Sequence, residues 1–166
     1  MTVPRMLVLR SARAIGTWSE SSLVVEKKSK FQGRCCGLNS QDEIQHLLAN
    51  LLTSNKSVSR ATHSHIYAWR TGQPILVENS RTICPQKNGH RSRPANRQVR
   101  NLKQGFNDCG ESGAGQRLLA LLERSNIVNV IVVVTRWYGG TPLGSSRFRY
   151  ISAAAVESLK NAGHLP

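Results

Sequence analysis

NVIVVVTRWYGGTPLGSSRFRY, running from Asn129 to Tyr150, changes physical character three times within 22 residues. Val130 to Val134 is an unbroken β-branched block. With no polar alternation, such a block suits a central strand covered on both faces. Arg136, Trp137 and Tyr138 therefore fall at the carboxyl end of that strand. Gly139, Gly140 and Gly144 follow, with Pro142 between them, and together they allow a tight turn and close backbone approach. Ser145 or Ser146 can then cap a helix starting near Arg147. Unpaired amides at that helix start, beside Arg136, Arg147 and Arg149, could seat an anion. The same joint could equally serve packing alone. No nucleophile stands with a base in it, which argues against catalysis there.

Working outward, Asn107 to Ser125 is a second glycine-punctuated entry into a helix. Asp108, Gly110, Glu111, Ser112, Gly113 and Gly115 precede Leu118, Leu119, Leu121 and Leu122. Two acids at this helix start would repel a phosphate, and they are better placed to cap the helix and complement its dipole. A general acid/base role for Asp108 and Glu111 with a nearby histidine is the chemical alternative.

Upstream, Arg60 to Arg70 (RATHSHIYAWR) reads as a strand with His63, His65, Tyr67 and Trp69 on one face and Ser64, Ile66 and Ala68 on the other. The first face can be half-buried sheet, a stacking platform for bases, or a metal site using His63 and His65. No third ligand is identifiable. Ser40 and Glu43 have capping-box spacing ahead of Ile44, Leu47, Leu48, Leu51 and Leu52, predicting a helix over 41–53. Leu23 to Glu26 and Lys30 to Cys36 form a hairpin signal about a turn at Lys27, Lys28 and Ser29. At the other end, Phe148, Ile151, Ala155, Val156 and Leu159 mark one side of the last helix, with Gly163 as its stop.

A length of 166 residues suits one domain, and the chain is 39% hydrophobic with 5% aromatics. No apolar run is long enough to span a bilayer, so no membrane segment is expected. Cys35, Cys36, Cys84 and Cys109 form no zinc-like spacing, and neither a metal nor a cofactor is expected. Reduced thiols fit a cytoplasmic protein. Cys35 and Cys36 would point to opposite faces of a strand, so at most one should be buried. The arginine-bearing, acid-poor amino terminus offers a mitochondrial alternative, although 1–22 is favoured as a basic tail leading into the first strand.

The formal net charge is +14, from 23 lysines and arginines against 9 acids. Half of it lies in 81–103, where Arg81, Lys87, Arg91, Arg93, Arg97, Arg100 and Lys103 have no acid among them. Hydrophobic periodicity is lost over 71–106, which reads as a basic loop insertion. It is either a solvated loop or an arm for phosphates or an acidic protein surface.

SKFQ (Ser29 to Gln32), ATHSHIYAWR (Ala61 to Arg70), DCGESGAGQRLL (Asp108 to Leu119) and VVVTRWYGGTPLGSSRF (Val132 to Phe148) resemble, in order, the signatures of the Impact family. The resemblance covers most of 23–162, taken as one Impact-type domain, and is closer to the eukaryotic members. It implies an α+β fold, a mixed sheet backed by helices. That fold is similar to the second domain of a small-subunit ribosomal protein and to a domain of elongation factor G. Members with an amino-terminal RWD domain restrain the kinase that phosphorylates translation initiation factor two, by competing for its co-activator. No RWD domain fits before Leu23. Bacterial relatives are candidates for nucleic-acid binding.

Cys109 stands where the family has a second acid, which weakens any pairing of carboxylates. The stretch from His63 to Trp69 is one residue longer than the family pattern, implying a bulge or a shifted face. The expectation is thus a non-catalytic binding protein whose partner is a protein of translational control under stress or of the ribosome. Its recognition face would be the joint at 136–146 with 108–115. RNA bound by the basic arm and the His63/Tyr67/Trp69 face is the alternative, and an acid/base enzyme the third.

Overall fold

The structure is a computed structural model that describes residues 16–75 and 99–166. Its strands are β1 (Ser19–Glu20), β2 (Val24–Glu26), β3 (Ser29–Gly37), β4 (His63–Pro74), β5 (Val99–Asn107) and β6 (Val130–Trp137). Helices α1 (Glu43–Ser54) and α2 (Lys56–Ser59) follow β3, α3 (Ala114–Arg124) follows β5, and α4 (Arg147–Asn161) follows β6 through a 3-10 turn at Gly144–Ser146. The sheet order is β1-β3-β6-β4-β5, with β2 also on β3. The α+β class holds. Every pairing among the described strands is antiparallel, however, so the sheet is not mixed.

β6 is the central strand, and its β-branched run alternates between two cores. Val130, Val132 and Val134 join a cluster with α3 and α4. Ile131 and Val133 join a second cluster with Ile44, Leu47, Leu48 and Leu51 of α1. Both faces of β3 are covered as well, so Cys35 and Cys36 are both buried, one in each cluster, where the sequence allowed only one. A Cβ at Gly33 would lie 2.2 Å from the Ala154 carbonyl oxygen, so a bare backbone on β3 is what lets α4 lie down on the sheet.

The hairpin between β2 and β3 forms as expected, with Lys27 and Lys28 at φ 43° and 66° in the two-residue turn. Helix α1 starts differently from a capping box. Ser40 Oγ accepts from the Asp42 amide, and Glu43 reaches back to the Asn39 amide, one residue further than the motif requires. At the sheet's far end, the buried Arg70 donates through one Nη1 to the carbonyls of Leu122 and Ile127, satisfying the end of α3.

Two departures concern the ends of the predicted loop and tail. Strands occupy 71–74 and 99–106 of the stretch read as loop, and Ser19–Glu20 of the tail already pair with β3. β5 escaped notice because its side chains are mostly exposed, so no apolar alternation marks it. Arg100 and Lys103 of the proposed arm lie on it, while Arg81, Lys87, Arg91, Arg93 and Arg97 lie outside the described residues. No described helix is long and apolar enough to cross a membrane.

Candidate functional site

Both glycine-punctuated segments arrive at the same end of the sheet, where one carboxylate ties them together. Glu111, 5% exposed, accepts from Arg136 Nη1 through one oxygen and from Arg147 Nε through the other. Arg136 comes from the end of β6 and Arg147 from the first turn of α4, so the ion pairs join the loop before α3 to the joint after β6. His63 Nε2 stands 3.3 Å from the same carboxylate, and its Nδ1 is 2.8 Å from the Cys109 carbonyl oxygen.

Asp108 has a different task. Its two oxygens accept the amides of Gly113 at 3.0 Å and Gly115 at 2.7 Å, which are orphan donors at the start of α3. The expected capping role is therefore Asp108's alone, and Glu111 is the ion-pair hub. The backbone that allows this bends through positive φ at Cys109, Gly110 and Gly113. Gly115 lies where a Cβ would press on the Asn107 carbonyl.

Arg136 does not wait for an outside anion. It is 5% exposed, its charge is met by Glu111, and its guanidinium lies 5.5 Å from the Phe31 ring centre and 5.6 Å from that of Tyr138. The seat imagined for a ligand is filled by the protein's own carboxylate. The open part of the site is the rim: Tyr138, Gly140, Ser145 and Arg117 are exposed. Two guanidinium groups, those of Arg117 and Arg147, each approach Phe148 with Cζ 4.3 Å from the ring centre. Arg117 was missed because it lies inside an ordinary amphipathic helix pattern, and Phe148 was read as core only.

The joint itself is pinned to neighbouring strands. The Tyr138 amide donates to Thr62 Oγ1 and the Gly139 amide to Ser29 Oγ. A Cβ on Gly139 would fall 2.1 Å from the Lys28 carbonyl carbon, so this glycine admits the hairpin turn. Gly140 and Gly144 instead meet nothing nearby and serve the turn through φ of 86° and 56°. Ser145 is exposed, and Ser146 does not cap α4 through its side chain but donates to the Leu143 carbonyl.

The predicted bulge in β4 is present, and it redistributes the histidine face. His63 pairs with Arg136 and Ile66 with Val134, so three β4 steps match two on β6. The extra residue carries His63 to the side of Arg136 and Glu111. His65 instead stacks on Tyr67 with ring centres 6.4 Å apart, and burial pushes its pKa below the ordinary value. His63 and His65 thus do not form a chelating pair. Trp69, 6% exposed, is packed in the core beneath α1, and Tyr67 is half-buried against the same core, its phenol pKa pushed up by burial. Little of the Trp69 ring is therefore open to a base, and both rings edge a depression shared with Gln41, Asp42 and Gln45.

With this geometry in place, comparison with known proteins gives a consistent result. The profile of the Impact N-terminal domain matches residues 27–159. IMPACT family member YDL177C of Saccharomyces cerevisiae is 51% identical over 167 residues, covering 93% of this chain and 96% of that protein. Protein IMPACT of Homo sapiens is 34% identical over 136 residues, covering 82% of this chain but only 35% of the human protein. Among solved structures, the two-domain translational regulator Yih1 is similar with a TM-score of 0.50 and 26% identity, over 98% of this chain and 53% of that chain. A hypothetical protein of known crystal structure shares the fold, with a TM-score of 0.57 and 21% identity over 88% and 59% of the respective chains.

Proposed function

The chain belongs to the Impact family, and from that premise we propose that it is a non-catalytic binding protein in the regulation of translation under stress. Its partner is a protein of translational control or of the ribosome, and the cytoplasm is its compartment. Restraint of signalling through the kinase of initiation factor two is the process we assign it to, by analogy with two-domain relatives. The similarity to Yih1, described as a translational regulator, supports the link to translation.

What carries the binding role is the clasp at Glu111. Both oxygens of Glu111 accept from arginines and both oxygens of Asp108 accept backbone amides, so each carboxylate works as a structural acceptor. That leaves an exposed rim whose cation is Arg117, with Ser145 beside the joint, suited to recognition.

The test is capture of partners from native extract with the tagged full chain, with and without nuclease. A translation or ribosome-associated protein should survive nuclease treatment and be lost with the exposed-rim variant Arg117→Glu/Ser145→Glu. Retention of the same partners by that folded variant would count against this face. A second reading, RNA bound by the basic segment, is favoured by β5, which exposes Arg100, Lys103 and Phe106. Capture that disappears with nuclease would select it.

A further inference from the structure

The sheet face at the β2–β3 hairpin is left open by the helices. Across it, the register lines up Val25, Lys30 and Trp137 in one row over three strands. Helices α1 and α2 cover the other end of this face. Here only Ser57 of α2 reaches it, its carbonyl accepting from Trp137 Nε1 at 2.9 Å. The result is an open depression of about 430 Å³ lined by Leu23, Lys28, Lys30, Trp137 and Tyr138, among others.

Two properties define what fits. The first is apolar exposure: Leu23, Val25 and Tyr138 are 49%, 56% and 45% exposed. They are three of the five exposed large apolar residues among those described, so the patch is concentrated here. The second is charge, because two lysines line the depression and no carboxylate does. Glu20 does not line the depression itself; it is held by Arg34 at 2.8 Å and by Gln32, a lining residue, at 3.3 Å. Glu26 pairs with Ser29 and alternates with Val25, which turns it to the opposite face. The walls are also set in place. Arg136 underlies the Tyr138 ring, and the Gly139 amide donates to Ser29 Oγ, tying the joint to the hairpin.

We propose that this depression is a docking site for an acidic peptide segment of a protein partner, with one aliphatic or aromatic side chain inserted between Leu23, Trp137 and Tyr138 and flanking carboxylates on Lys28 and Lys30. Aliphatic surface at Leu23 and Val25 next to the two aromatics suits the packing of an inserted apolar side chain, which favours peptide over RNA. The inference rests on the chain being a binding protein, and it assigns a second surface, which shares Tyr138 with the rim but neither Arg117 nor Ser145.

The probe is a labelled synthetic peptide with glutamates on both sides of a single leucine. Beside it run a counterpart with serine for the leucine, one with lysines for the glutamates, and oligouridylate. The peptide should bind the full chain and shift the Trp137 indole N–H resonance. Binding should weaken about tenfold in Lys28→Asn/Lys30→Glu and fade with rising salt. Leu23→Ser, another exposed change, should weaken it without altering the salt dependence. The serine and lysine counterparts should bind far less.

Equal binding of the serine counterpart, or binding unchanged in both variants, would overturn the proposal. So would tighter binding of oligouridylate that the lysine variant abolishes. A peptide that fails here while the rim variant still loses its captured partners removes this site and leaves the proposed function standing.

Discussion

Glu111 is the residue whose removal should separate an ion-pair hub from a mere surface contact. Its two arginine partners differ in burial: Arg136 is closed off from solvent, whereas the Arg147 side chain is 26% exposed. Taking away a buried charge strands its partner in a poorly solvated place, and that penalty dominates the loss of the pair itself. Glu111→Ala should therefore cost about 3–5 kcal/mol in urea denaturation. Arg147→Ala should cost about 1 kcal/mol, since water can reach the vacated oxygen and Arg136 still neutralises the carboxylate. Similar losses for both would mean that Arg136 finds compensation elsewhere. His65 offers a test by pH at the same scale. Burial lowers its pKa below the ordinary 6.5, so the folded state holds it neutral where the unfolded chain takes up a proton. The His65 contribution to stability should be flat above pH 6.5 and decline as pH falls below it, until the folded-state pKa is also passed. Thermal melts of the native protein and His65→Phe should diverge on acidification, with the variant losing that part of the slope.

Helix α3 and the loop before it illustrate an element whose start is set by one side chain. Asp108 alone accepts two of the first amides of α3, so Asp108→Ala should destabilise by about 1–2 kcal/mol, while Asp108→Asn, which keeps one acceptor, should lose about half of that. Hydrogen exchange at Gly113 and Gly115 reports the same change locally, and unaltered protection there would contradict the capping role. Elements of this kind were open to reading in advance. The apolar stripe of α1 follows the helical period, the two glycine-led joints mark helix entries, and the unbroken β-branched composition of β6 suits a strand covered on both faces. β5 carried no such signal, because an edge strand exposed along its length buries nothing that would leave a pattern. The bulge in β4 was visible only as one residue too many. Its consequence, the transfer of His63 to the side of Arg136, depends on which strand lies alongside and in what register. For the same reason Glu111 and Arg136 could each be singled out as site residues while their mutual pairing could not. The anion expected from outside was already present 25 positions earlier in the chain.

At the scale of the whole molecule, one strand is shared by two cores. β6 sends Val130, Val132 and Val134 into the cluster with α3 and α4 and sends Ile131 and Val133 into the cluster with α1, so this one strand links the two cores. All three tryptophans, Trp18, Trp69 and Trp137, lie in or against the α1 cluster, which makes their fluorescence a probe of that face alone. Leu118 sits on the opposite face, fully buried in the α3 and α4 cluster. Leu118→Ala should cost about 2–5 kcal/mol through lost burial and the cavity left behind. If the sheet couples its two faces, the urea midpoint read by tryptophan fluorescence should fall as far as the midpoint read by far-ultraviolet circular dichroism. A fluorescence midpoint that stays put while the dichroism midpoint moves would mean that the two layers come apart separately. The rim at Arg117 and the hairpin depression at Trp137 would then sit on independently stable halves, and not on one frame that holds both in fixed relation.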